Sequence, residues 1–160
     1  MNIPSSVVEE IKVSYQPTSI PNIAIKTSRD AYSVFIKQFD VNTIALQESF
    51  FIIYLNQQNM VKGIHRLSVG GISSVLVDIR LILSIALKSA STGIILSHNH
   101  PSGNLKPSQQ DMNITEKIRS CCKLLDIKLF DHLIISPYDT YYSMADAGDL
   151  FDFSLNESSK

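Results

Sequence analysis

The stretch "GIILSHNHPSGNLKPSQQD", residues 93–111, decides how this chain is read. An apolar run ends in two histidines one residue apart, a Pro/Gly/Asn loop follows, and a serine stands three positions ahead of an aspartate. "TGIILSH" is short and fully apolar up to its end, the pattern of a strand in the middle of a sheet. Residues two apart in an extended chain point to the same side, so His98 and His100 present both imidazoles in one direction. Pro101 supports this, because the residue before a proline is biased away from the helical region. "PSGNLKP" then turns the chain back, and Ser108 opens a helix with Asp111 in its first turn.

Two imidazoles and one carboxylate form a common catalytic zinc shell, with a fourth position left for water. Iron(II) takes the same ligand types. Each piece has a plainer reading. S-x-x-D is a helix-capping pattern in which the acid also suits the helix dipole, and H-x-H alone is often a structural or surface pair. The convergence is what predicts a metal site at His98, His100 and Asp111, with one ion per chain. Capping and ligation are compatible, since Ser108 can cap while Asp111 ligates.

Working outward from this stretch, the periodicity changes several times. "EIKVSY" alternates Ile11, Val13 and Tyr15 and predicts a strand ended by Pro17 and Pro21. "TSRDAYSVFIKQF" predicts a helix capped by Ser28. "ESFFIIYLNQQNMVKGIHRLSV" predicts two strands, about 48–56 and 60–69, joined at Gln57-Gln58-Asn59. "DIRLILSIALKSA" has an Asp78 cap and apolar residues on nearly every face, which predicts a helix buried on most sides. "SQQDMNITEKIRSCCKLL" reads as a long amphipathic helix with Ile114, Ile118, Cys121 or Cys122, and Leu125 on one stripe. "IKLFDHLIIS" and "TYYSM" close as strands. The expected order is β-α-β-β-α-β-α-β-β, a mixed α/β (α+β) fold in which helices pack on a mixed sheet.

At 160 residues, 44% hydrophobic, the chain fits one globular domain with a single core. Residues 1–27 form the expected strand and lead-in, 28–151 the domain, and 152–160 a polar, flexible tail. Fourteen basic against fifteen acidic side chains leave a net charge of -1, so DNA contact gains no support from the field. Two adjacent cysteines, Cys121 and Cys122, make no disulfide framework and read as small buried hydrophobes. The N-terminus lacks the pattern of a secretory signal. No apolar run has spanning length, being broken by Asp78, Arg80 and Lys88. No membrane and a cytoplasmic setting are the expectation.

At this point "HNHPSGNLKPSQQD" resembles the JAMM signature of the JAB/MPN zinc metalloprotease superfamily, H-x-H, seven residues, then S-x-x-D. The flanks "LQESFFIIYLN", "LILSIALKSASTGIILSHNHPSGNLKPS" and "DHLIISPYDTYYSMADAGDL" resemble its bacterial RadC-like branch, over roughly residues 28–151. The resemblance implies a fold similar to that of cytidine deaminases and a Zn2+-dependent peptidase or isopeptidase acting on a peptide or isopeptide substrate. It implies His98, His100 and Asp111 as zinc ligands. Glu48, at the start of "ESFFIIYLN", would be the carboxylate that orients and deprotonates the catalytic water, and Ser108 the donor to the tetrahedral oxyanion. A strand-leading Glu is by itself usually just solvated, so Glu48 rests on the resemblance; Glu9, Glu10 and Glu116 fit less well.

Asn99 stands where eukaryotic members carry Ser or Thr, and its side chain faces away from the ligands. His132 matches an Asp-His pair of the family and is expected to form a hydrogen bond rather than to ligate. His65 takes an ordinary surface or packing role. Longer RadC proteins begin with a helix-hairpin-helix region, for which the sequence before Glu48 is too short, so a DNA-repair role gains little. Rival readings are a metal-dependent nuclease, suggested by the literal "HNH" but lacking the ββα context, and a non-catalytic MPN-like scaffold. A nucleoside deaminase would need a P-C-x-x-C motif, which Cys121-Cys122 does not supply.

Overall fold

The computed structural model describes residues 12–70 and 76–150. In chain order the elements are α1 (Ser28–Phe35) with a 3-10 turn at Ile36–Gln38, β1 (Ser49–Leu55), β2 (Val61–Val69), α2 (Ile79–Lys88), β3 (Gly93–Asn99), α3 (Gln109–Leu124), β4 (Lys128–Ile135) and β5 (Tyr141–Ser143). The five strands form one sheet in the order β2-β1-β3-β4-β5. It is mixed: β3 and β4 run parallel, joined through α3, while the other neighbours are antiparallel. A parallel pair needs such a crossover, whereas β1 and β2 are close enough in sequence for a hairpin.

Strand alternation divides the interior into two apolar layers. Phe50, Ile52 and Tyr54 of β1 and Ile94 and Leu96 of β3 pack against Ile82 and Ala86 of α2 and Ile118 and Cys122 of α3. Phe51, Ile53 and Leu55, with Ile95, Leu133 and Ile135, face Ala31 and Phe35 of α1. β3 is buried along its whole length, as its unbroken apolar run requires. His98 follows Leu96 onto the α2/α3 side, and Asn99 follows Ile95 and Ser97 onto the α1 side.

Three expectations need correction. Lys12–Tyr15 form no strand, and Glu10 and Ile11 lie outside the described residues. Val13 is exposed, and the segment touches the sheet through the Tyr15 hydroxyl, which donates to the Lys62 carbonyl at 3.3 Å, with the Lys62 ammonium over the Tyr15 ring. Alternation gives a strand only where the backbone finds a partner, and here it does not. The α1 cap is Thr27 rather than Ser28: Asp30 N–H donates to the Thr27 hydroxyl, and Asp30 Oδ2 accepts from Thr27 N–H. Ser28 is thereby free to turn its hydroxyl toward Tyr141 and Asp146. Finally, α2 buries one stripe, Ile82 and Ala86, and exposes Leu81 and Leu87.

Cys122 is the cysteine of the α3 stripe, fully buried, its thiol pushed up to about 11 by burial and by neighbouring Cys121. Both thiols are free. Among the described residues no helix is long and apolar enough to cross a membrane. The expected tail, 152–160, lies outside the described residues.

Candidate metal centre

β3 ends at Asn99, and the chain stays extended into His100, whose N–H donates to the Ile135 carbonyl at 3.0 Å. The loop 101–107 brings the chain back to α3. There Ser108 caps the helix in a full capping box: Asp111 N–H donates to Ser108 Oγ at 3.1 Å, and Ser108 N–H donates to Asp111 Oδ2 at 2.7 Å. The Ser108 hydroxyl also gives its hydrogen to Asp111 Oδ2, at 2.7 Å. The cap therefore fixes the carboxylate where the two imidazoles arrive from β3.

The result is compact. His98 Nε2 and His100 Nε2 are 3.0 Å apart, His98 Nε2 lies 3.2 Å from Asp111 Oδ1, and His100 Nε2 lies 3.4 Å from Asp111 Oδ2. His98, His100 and Asp111 offer ligand atoms all within 4.8 Å of one another, a group that can hold a metal ion. Ligands around a tetrahedral ion with bonds of about 2.0–2.2 Å stand roughly 3.3–3.6 Å apart. The observed 3.4 Å falls in that range, and 3.2 and 3.0 Å are tighter, so the side chains would part by a few tenths of an ångström to admit an ion.

The chemistry of the donors agrees. His100 Nδ1 lies 2.5 Å from the Asn104 carbonyl oxygen. A carbonyl can only accept, so the hydrogen of a neutral His100 is on Nδ1, and its Nε2 lone pair points at Asp111 and His98. Burial would push the Asp111 carboxyl up, yet His100 and His98 when they carry a proton on Nε2, and the Ser108 hydroxyl, hold it well below the usual carboxylate range. His100 is correspondingly raised, first through Asp111, against the opposing effect of burial. An ionised carboxylate facing two imidazole nitrogens in a half-buried pocket is a place for positive charge.

Behind the group stands His132 of β4, fully buried, with Nε2 2.8 Å from His98 Nδ1 and Nδ1 2.5 Å from the Thr115 hydroxyl. Burial, then the neighbouring His98, holds it well below its ordinary value, so it is neutral. His132 is not a member of the ligand group, and neither is His65, half-buried in β2. Nor is Glu116, which pairs with Arg119 at 2.9 Å. Glu9 and Glu10 lie outside the described residues.

A cavity of about 560 Å³ opens over His98, His100 and Asp111, with Glu48, Phe50, Leu76, Val77, Ser108, Ile114 and Lys117 also in its walls. Glu48 stands immediately before β1, next to the β3 end that carries His98, and the Phe50–His98 register puts the start of β1 beside the ligands. Its place is held by Asn99. The Asn99 side chain accepts from Ser49 N–H at 2.7 Å and donates to the carbonyls of Gln47 at 2.9 Å and Ile44 at 2.7 Å, gripping the backbone on both sides of Glu48. The spacing of H-x-H shows that Asn99 faces away from the ligands. It does not show what lies there, because the partners are about 50 residues distant in sequence.

The comparisons with known proteins point one way. A family model described as "RadC-like JAB domain" matches residues 25–149. A protein named UPF0758 from Flavobacterium johnsoniae is 43% identical over 124 residues, 78% of this chain and 52% of that relative. One from Porphyromonas gingivalis is 41% identical over 102 residues, 64% of this chain and 45% of that protein. One from Clostridium kluyveri is 47% identical over 89 residues, 56% and 39% respectively. The chain thus spans about half the length, or less, of these curated relatives. With the sheet, the crossover and the His/His/Asp group in hand, the match identifies the chain as a member of the RadC-like JAB domain family.

Proposed function

We propose that this chain is a zinc-dependent hydrolase that cleaves an amide bond, a peptidase or isopeptidase. The observation that carries the reading is the placement of Glu48 in the same cavity as the His98/His100/Asp111 group, with Asn99 gripping the backbone on either side of it. Held by that group, zinc would supply Lewis acidity, making a water easier to deprotonate and a carbonyl more electrophilic.

The remaining work falls to the chain itself. The Glu48 carboxylate takes a proton from the attacking water and passes it to the departing amine. The Ser108 hydroxyl stands at the cavity wall as the donor for the developing oxyanion. Its hydrogen is engaged with Asp111 Oδ2, so this role requires the hydroxyl to turn from the carboxylate toward the substrate oxygen. Phe50, Val77 and Ile114 give the cavity an apolar wall beside the scissile bond.

The test uses two variants. Asp111→Ala is expected to lose about one zinc per chain, read by metal analysis. Glu48→Gln is expected to keep the zinc while amide hydrolysis falls by roughly 10²-fold or more, the scale of a lost general base. Unchanged turnover in Glu48→Gln would remove that residue from the mechanism. Cleavage of DNA but of no peptide or isopeptide-linked substrate would replace the reading by a nuclease, and absence of bound metal would leave a scaffold.

A further inference from the structure

Three hydrogen bonds run in series behind His98, and the number of hydrogens available to them sets their direction. Thr115 Oγ1 lies 2.6 Å from the Asp111 carbonyl oxygen. It also lies 2.5 Å from His132 Nδ1, and His132 Nε2 lies 2.8 Å from His98 Nδ1. Thr115, His132 and His98 are 1%, 0% and 3% exposed, so solvent does not reach in to supply or accept a hydrogen.

The first link decides the rest. A carbonyl oxygen has no hydrogen to give, so the Thr115 hydroxyl donates to Asp111. That hydroxyl has one hydrogen, and toward His132 it can only accept. His132 must then carry its hydrogen on Nδ1, which leaves Nε2 as an acceptor. The last link takes its hydrogen from His98 Nδ1, which leaves His98 Nε2 bare and directed at His100 and Asp111. Reversing any link puts two lone pairs, or two hydrogens, face to face at hydrogen-bond distance in a dry interior.

We propose that Thr115 and His132 are positioning residues that hold His98 in its Nδ1–H form and so present the Nε2 lone pair to the ion. The inference rests on the metal-binding part of the reading above and is independent of the reaction. The device also ties the ligands to one another. The series begins at the main chain of Asp111 and ends at the ring of His98, so α3, β4 and β3 are held in one register by the same three bonds. His100 reaches the same state by a different route, through the Asn104 carbonyl. Both bare Nε2 atoms then face each other at 3.0 Å and Asp111 at 3.2 and 3.4 Å, lone pair toward lone pair, a repulsion that a cation between them relieves. Partners of this kind behind a ligating histidine commonly change metal affinity by 10–100-fold.

The deciding experiment is a long-range proton–nitrogen correlation spectrum of the full chain with labelled imidazoles, recorded at neutral pH with and without zinc. His132 and His98 are each expected to carry the hydrogen on Nδ1. A His132 hydrogen on Nε2 overturns the proposal. Alongside, zinc affinity is measured by chelator competition. Thr115→Val is expected to bind zinc about 10–100-fold more weakly, and Thr115→Ser, which keeps the hydroxyl, to stay within roughly threefold of the parent. His132→Gln, whose amide can accept from His98 and donate to Thr115, should bind zinc more tightly than His132→Phe. A folded Thr115→Val protein with parental affinity also overturns it. Should that variant not fold, the spectrum of the parent decides alone. If the parent binds no zinc, the metal reading fails, while the position of the His132 hydrogen still judges this inference.

Discussion

Asn99 stands between His98 and His100 and serves neither directly. Its amide instead makes three hydrogen bonds to the backbone around Glu48, in a position with no exposed surface. Replacing it by Ala leaves buried partners unpaired, at about 1–3 kcal/mol. Asn99→Ala is expected to keep one zinc per chain and to lose at least tenfold in hydrolysis, because a carboxylate displaced by even 1 Å loses much of its effect. Metal analysis beside an amide-hydrolysis assay checks this; equal loss of metal and turnover would deny the separation. At this scale the ligand group was legible because H-x-H and S-x-x-D are local spacings whose geometry follows from strand and helix periods. The grip of Asn99 and the partner of the hydrogen bond expected of His132 were not, since both depend on which strands become neighbours. His132 comes beside the ligand strand only through the β3–β4 register, in which it pairs with Leu96.

Among the elements, the loop between β3 and α3 has no room to spare at its glycine. Gly103 has φ +79°, and a Cβ there would meet the Tyr138 ring at 2.6 Å. Gly103→Ala is expected to cost about 1–3 kcal/mol through backbone strain and overpacking. Zinc binding should weaken as well, because the same loop carries the Asn104 carbonyl that orients His100. Thermal melting and chelator competition on one preparation measure both effects. Most elements could be read from sequence: β1, β2, β3, α3, β4 and β5 lie within a few residues of where alternation, caps and turns put them. The misread ones differ in cause. Val13 and Tyr15 alternate correctly but find no partner strand, and Thr27 and Ser28 are both good caps that only the position of Asp30 distinguishes. The α2 helix is apolar on most faces, yet Leu81 and Leu87 remain exposed because the sheet lies against one side of it.

For the molecule as a whole, an ion that binds only the folded chain raises its stability by mass action. Free zinc at a hundredfold its dissociation constant is worth about 2.7 kcal/mol, an increase of roughly 5–10 °C in melting temperature for a domain of this size. A chelator should reverse the shift, and Asp111→Ala should show none. The pH dependence has a definite sign. His100 binds its proton more tightly than an ordinary histidine, mainly through Asp111, and that proton and the ion compete for Nε2. Zinc affinity is therefore fullest above the raised value and falls as the pH drops through it, which titrations between about pH 5 and 8 will follow. Affinity that is flat or rises toward acid would contradict ligation by the His100 imidazole.

All three proposed ligands come from one short β-loop-α passage, residues 98–111, at the rim of a sheet whose two apolar layers are already complete without them. The ion's departure therefore opens no hydrophobic interior, and the protein should survive it as a native-like species. Cofactor replacement then becomes a matter of dialysis rather than refolding. Cobalt(II), introduced that way, would turn a colourless centre into one whose visible absorption reports coordination number and every ligand bound at the open position.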